Sequence, residues 1–94
     1  MNRARGEAEA VLAGERRSLC LTLGALAEIE TGLGVEGFEA LTGRLRTLSA
    51  GDLAVVLSAL LMGGGAAGEA EELARTCSPH EAAQAVAEAF RAAG

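Results

Sequence analysis

The chain lacks most of the side chains on which small enzymes and nucleic-acid-binding proteins depend. Its 94 residues include no lysine, tryptophan or tyrosine, and only one histidine, one proline and two cysteines. The two aromatic residues are phenylalanines, so few side chains are available to stack on bases. The net charge of −5 also opposes contact with a phosphate backbone. These absences argue against a nucleic-acid-binding function.

Small side chains dominate the hydrophobic half of the sequence. Alanine accounts for 21 residues, whereas Val, Ile, Leu and Phe together account for 22. Such an aliphatic core leaves no room for a buried cofactor, and we expect none. No apolar run reaches the roughly 18 residues that a membrane span requires. The N-terminus has charged residues and no apolar signal core, so we expect a cytoplasmic protein without a membrane segment.

The chemically active side chains are few and far apart in the sequence. Cys20 and Cys77 have no metal-binding or redox spacing, so we expect free thiols in a reducing compartment. His80 stands at the start of a predicted helix, where its charged form is disfavoured. Carboxylate pairs such as Glu28 and Glu30 are typical of a solvated face. We therefore predict a protein with no catalytic residues and no metal or cofactor site.

The N-terminal segment alternates between small or apolar residues and polar ones. One face of the predicted strands comprises Ala8, Ala10, Leu12, Arg17, Leu19 and Leu21. Gly14 is suited to the tight turn between them because it adopts positive φ without strain. The pattern predicts a β-hairpin over residues 7–21. A frayed helix is the alternative, because Glu and Ala also favour helices.

Helical periodicity begins after Thr22, whose hydroxyl is suited to capping a helix. Ser49 and Asp52 form a capping-box pattern before the most hydrophobic helix, predicted over residues 52–62. The apolar stripe of that helix comprises Leu53, Val56, Leu57, Leu60 and Leu61. We expect it to occupy the centre of the fold.

Shorter helices are predicted on either side of the central one. The preceding helix is predicted to bury Phe38, Leu41, Leu45 and Leu48, with Gly43 weakening its middle. The last helix begins at Ser78-Pro79 and is predicted to bury Ala83, Val86, Phe90 and Ala93. Gly63-Gly64-Gly65 ends the central helix and predicts a flexible joint.

Together the elements predict a single α+β, mainly α domain over residues 1–94, with an N-terminal β-hairpin followed by four or five short helices. Its predicted segments are the hairpin at residues 7–21, a helical core at 22–62, a Gly-rich joint at 63–68 and C-terminal helices at 69–94.

Several stretches of the chain resemble a known family. They are NRARGE at residues 2–7, LTLGALAEIE at 21–30, SAGDL at 49–53 and LSALLMGG at 57–64. These stretches are similar to the gene transfer agent family of small tail proteins. That family is related to phage tail assembly chaperones and occurs in alphaproteobacteria with GC-rich genomes.

The resemblance implies a non-enzymatic protein encoded among the tail genes of a domesticated prophage. Such a protein would act in tail morphogenesis by binding tail tube or tape-measure protein before assembly. A small helical adaptor or regulatory protein-binding domain unrelated to tails is the alternative. The sequence leaves the oligomeric state open.

A protein-binding surface is predicted around the Gly-rich joint. The helix before the joint is rich in Leu, whereas the helices after it offer mainly Ala and the single Phe90. We expect the last helix to cover the central one loosely and to lift at the joint. Lifting would expose Leu60, Leu61 and Met62 to a client helix.

Overall fold

Two strands and five helices follow one another in a computed structural model that describes residues 7–66 and 68–93. Strands β1 (Glu7–Leu12) and β2 (Glu15–Cys20) form an antiparallel hairpin. The helices are α1 (Leu23–Leu33), α2 (Phe38–Arg44), α3 (Ala50–Gly63), α4 (Ala70–Thr76) and α5 (Pro79–Ala93), with a 3₁₀ turn at Leu45–Thr47. This order confirms the predicted α+β, mainly α fold. Residues 2–6, which contribute to the family resemblance, lie outside the described residues.

The hairpin closes through a two-residue turn in which both residues have positive φ. Ala13 has φ 53° and Gly14 has φ 84°, the backbone form that suits the twist of paired strands. The left-handed conformation is less favourable for Ala13, whose backbone N–H donates to Glu81 Oε1 at 3.2 Å. Ala8, Leu12 and Leu19 are buried on one face, which confirms the predicted alternation.

Helix α3 lies at the centre of the fold, in contact with α1, α4, α5 and β2. It begins at Ala50 because the capping box places Ser49 at the N-cap. The Ser49 hydroxyl accepts from the Asp52 N–H at 3.1 Å, and the Asp52 carboxylate accepts from the Ser49 N–H at 3.4 Å. The predicted stripe faces inward, with Val56, Leu57, Leu60 and Leu61 fully buried and Leu53 partly buried.

Helix α1 lies against α3 with little space between the two backbones. The Thr22 hydroxyl caps α1 by accepting from the Ala25 N–H at 3.0 Å, and Gly34 ends the helix in the left-handed conformation. A β-carbon on Gly32 would collide with a methyl group of Val55. The absence of a side chain at Gly32 therefore sets how closely α1 approaches α3.

The C-terminal end of α3 lies against the outer edge of β2. A β-carbon on Gly63 would collide with the carbonyl oxygen of Cys20, and one on Gly64 with that of Ser18. Gly65 then turns the chain away with φ 103°. Gly63 and Gly64 of the predicted joint thus have a packing role that the glycine run alone does not indicate.

One predicted core residue in α2 is exposed. Phe38 retains 51% of its surface, although the periodicity predicts its burial with Leu41. Leu41 is fully buried, and Leu45 and Leu48 are partly buried. Phe38 is the first residue of α2, a helix whose main contacts are with the 3₁₀ turn that follows it. Within residues 7–66 and 68–93, the neighbouring elements therefore leave about half of the first side chain of this helix uncovered.

The buried face of α5 is rotated relative to the prediction. Its buried residues are Ala82, Ala85, Val86 and Ala89, whereas Ala83 is exposed and Phe90 and Ala93 are partly buried. Alanines occur on both sides of this helix, so the sequence defines its phase poorly. The observed face lies against β1 and α3, where small side chains allow close approach.

Candidate protein-binding groove

A groove of about 380 Å³ runs along α3 between α1 and α4. Its lining comprises Glu28 from α1, Gly51, Ala54, Val55, Ser58, Ala59 and Met62 from α3, and Glu71 and Arg75 from α4. Adjacent depressions extend it toward Thr22 and Gly24 at one end, and toward Pro79 and Ala82 at the other. These depressions reach the N-terminal ends of α1 and α5.

Small side chains on the outer side of α3 create the groove floor. Gly51, Val55, Ser58 and Met62 follow one another at helical spacing, so they share one side of α3. Val55 is 38% exposed and Met62 is 49% exposed. The floor is thus largely apolar, with a methionine at one end whose flexible thioether adapts to differently shaped partners.

The groove walls are held in place by buried contacts. Helix α1 is fixed by Ile29 and Leu33, and α4 is fixed by Ala70 and Leu73, all of which belong to the hydrophobic core. Arg17 on β2 also forms an ion pair with Glu69, at the start of α4. The groove is therefore a preformed feature of the fold.

The charges on the rim are separated along the groove. Glu28 lines the depression that contains Ala59 and Met62, near the C-terminal end of α3. Arg75 lines the depression that contains Gly51, near the N-terminal end of α3. Glu71 precedes Arg75 by one turn of α4 and lies on the groove wall. The rim is therefore acidic toward Met62 and basic toward Gly51.

The four residues predicted to bind protein occupy different environments. Leu60 and Leu61 are fully buried in the core, whereas Met62 lines the groove. Phe90 is partly buried, packs against the core from α5 and is not a lining residue of the groove. Met62 is accessible to a client without rearrangement, and Leu60 and Leu61 are not. The role of these residues in binding stays a prediction.

Sequence reasoning does not find the other groove residues. Val55 lies outside the predicted apolar stripe of α3, and Glu28 belongs to a carboxylate pair that is typical of a solvated face. The spacing from Gly51 through Val55 to Met62 is a usable signal, because it marks a second face on α3 that has no charged residue. Only the packing of α1 and α4 on either side turns that face into a groove.

The reactive side chains lie in environments that suppress nucleophilic chemistry. Both thiols are free. Burial, reinforced by the charge of Glu7, raises the pKa of the Cys20 thiol, and burial together with Glu81 raises the pKa of Cys77. Both thiols are therefore protonated and weakly nucleophilic at neutral pH. Over residues 7–66 and 68–93, His, Cys, Asp and Glu form no cluster suited to a metal ion.

Within the part of the chain that the structure describes, no helix combines the length and apolar character that crossing a bilayer requires.

One family model matches nearly the whole chain. A family model described as "Phage tail tube protein, GTA-gp10" matches residues 5–93, a span that includes both strands and α1 through α5. No curated protein and no solved structure matches the chain. The match supports the resemblance to gene transfer agent and phage tail proteins, and it favours a tail-related role over an unrelated adaptor. The chain therefore belongs to the GTA-gp10 family of phage tail tube proteins.

Proposed function

We propose that the chain is a non-enzymatic tail assembly chaperone that binds the tail tube or tape-measure protein in the cytoplasm during tail morphogenesis. Its family membership supports a role in tails. The observation that favours a binding role is the open apolar groove, in which Val55 and Met62 remain accessible. Apolar grooves between helices are one of the recurring sites at which proteins bind amphipathic helices.

The physical logic of such a role follows from the state of unassembled tail proteins. Subunits that later polymerise carry apolar surfaces that are uncovered beforehand, and these surfaces favour aggregation. An acidic partner with a groove for an amphipathic helix covers such a surface and adds negative charge to the complex. The net charge of −5 suits this task, because like-charged complexes repel one another.

A second candidate function is that of a tail tube subunit. The description of the family supports this second candidate, because the description names the tail tube protein. In that case the groove is a contact between neighbouring subunits of the assembled tail. The two candidates differ in where the chain ends up, because a chaperone is released whereas a tube subunit is retained.

The decisive experiment compares purified particles with the lysate of particle-producing cells by quantitative mass spectrometry. A chaperone co-purifies with tube or tape-measure protein from the lysate and is depleted from finished particles. Retention of the chain in particles at copy numbers equal to the major tube protein would refute the chaperone and establish the tube subunit.

A pair of variants tests whether the groove binds the client. Met62→Arg places a cation near the C-terminal end of α3, and Phe38→Asp places an anion at the start of α2, so each charge suits its helix dipole. The two side chains are similarly exposed, at 49% and 51%. We expect Met62→Arg to lower recovery of the tail protein and Phe38→Asp to leave it unchanged.

A further inference from the structure

We infer that the groove over α3 accepts one amphipathic helix. This helix has an apolar stripe along one side, basic residues at one end and acidic residues at the other end. This inference rests on the proposed function, because it specifies the client segment that the groove recognises. The groove extends from Gly51 to Met62. At a rise of about 1.5 Å per residue that span is roughly 16 Å, or about three helical turns.

The shape of the floor favours a helix as the occupant. Gly51, Ala54 and Ala59 leave room for a backbone to come close to α3, while Val55 and Met62 offer the larger contacts. A helix in such a groove uses apolar side chains at positions i, i+3 or i+4, and i+7. This spacing covers about two turns, or roughly 10 Å, so all of these side chains fit within the length of the groove.

The charges on the rim determine the polarity of the occupant. Within residues 7–66 and 68–93, the side chains of Glu28, Glu71 and Arg75 take part in no ion pair. Glu28 therefore lies toward Met62 and Arg75 toward Gly51, while Glu71 lies one helical turn before Arg75 on the wall formed by α4. Complementary charges on a partner select it and fix its register. The basic end of the client helix consequently lies toward Met62 and its acidic end toward Gly51.

Two synthetic peptides of about 14 residues test this polarity against the full chain. Both share one leucine stripe at helical spacing. The mixed peptide has arginines at one end and glutamates at the other, whereas the basic peptide has arginines at both ends. Peptide affinities are measured by calorimetry at low ionic strength. We expect the mixed peptide to bind about fivefold more tightly, as one or two exposed ion pairs would produce.

Arg75→Glu makes the rim acidic along its whole length, so we expect it to reverse the order of the two affinities. Arg46→Glu is the matched control. It changes the net charge by the same amount at an exposed position in the 3₁₀ turn, outside the groove lining. The control should leave the ratio of affinities unchanged. The preference should also disappear at about 1 M salt, where the Debye length is near 3 Å.

Equal affinities for the two peptides, failure to bind either one, or equal effects of Arg75→Glu and Arg46→Glu would overturn the inference. Self-association of the peptide-free chain that Met62→Arg abolishes would overturn it too, by showing that a second copy fills the groove. If the peptides are not distinguished but tail protein is recovered, the proposed function survives alone. If the peptides are distinguished but no tail protein binds, the proposed function fails instead.

Discussion

Replacing Leu57 with alanine tests whether α3 carries the stability of the fold. Leu57 is fully buried and belongs to the core shared by the hairpin and the helices. The substitution removes three buried carbons, which corresponds to roughly 2.4 kcal/mol at about 0.8 kcal/mol for each. The remaining cavity adds to this loss, so we expect a decrease of about 3–4 kcal/mol in the free energy of unfolding.

That decrease is large for a chain of this size. Small domains unfold with about 5–15 kcal/mol in total, and each kcal/mol lowers the thermal midpoint of a domain this small by roughly 4–8 °C. We therefore expect the midpoint of Leu57→Ala to fall by about 12 °C or more. Thermal unfolding followed by circular dichroism, with urea titration as a second measurement, gives both quantities.

The same substitution at an exposed position supplies the control. Leu23 is 83% exposed at the start of α1, so Leu23→Ala should change the free energy of unfolding by no more than about 0.5 kcal/mol. Equal midpoints for the two variants would refute the reasoning, because Leu57 would then contribute no more than a surface residue.

Three further predictions concern a glycine, a carboxylate and a helix. Gly43→Ala should raise the free energy of unfolding by about 0.5–1 kcal/mol in a urea titration, because nothing lies within 4 Å of the added carbon; a decrease would contradict this. A hydrogen bond from Arg44 holds the pKa of Asp52 below its ordinary 3.8. The contribution of ionised Asp52 to the stability of the fold is therefore complete above that pH, and it is lost as the pH falls through the lowered pKa. Urea titrations across that pH range should therefore show a weaker acid dependence for Asp52→Asn, and an unchanged dependence would exclude this ion pair as a cause. If α5 lifts during client binding, amides in residues 80–92 should exchange hydrogen faster than those in 53–61, and equal protection would exclude lifting.

Local signals in the sequence predicted the secondary structure well. Thr22 and Ser49 are side-chain caps, and Gly34 ends a helix in the left-handed conformation. Each of these effects depends on residues within one helical turn, so the sequence contains the information needed. The alternation in β1 likewise depends only on neighbouring residues, whereas β2 ends with two consecutive buried residues, Leu19 and Cys20.

Properties that depend on tertiary packing were less predictable. The exposure of Phe38 depends on which element lies beside the start of α2, and the phase of α5 is hidden by alanines on both sides. The groove presents the same difficulty, because Glu28 and Arg75 are distant in sequence and meet its rim only when α1 and α4 flank α3. Sequence periodicity describes each helix alone and does not specify the neighbours on its outer side.

The contact between α3 and the edge of β2 also limits the addition of further strands to the sheet. A two-stranded sheet has two edges, and another strand can pair with either of them. On the β2 side, the carbonyl oxygens of Ser18 and Cys20 face the backbone of Gly63 and Gly64. Open-ended stacking of hairpins requires both edges of every copy, so blocking this edge prevents a chain of hairpins from propagating. The glycine pair thus allows α3 to lie close enough to cover the β2 edge.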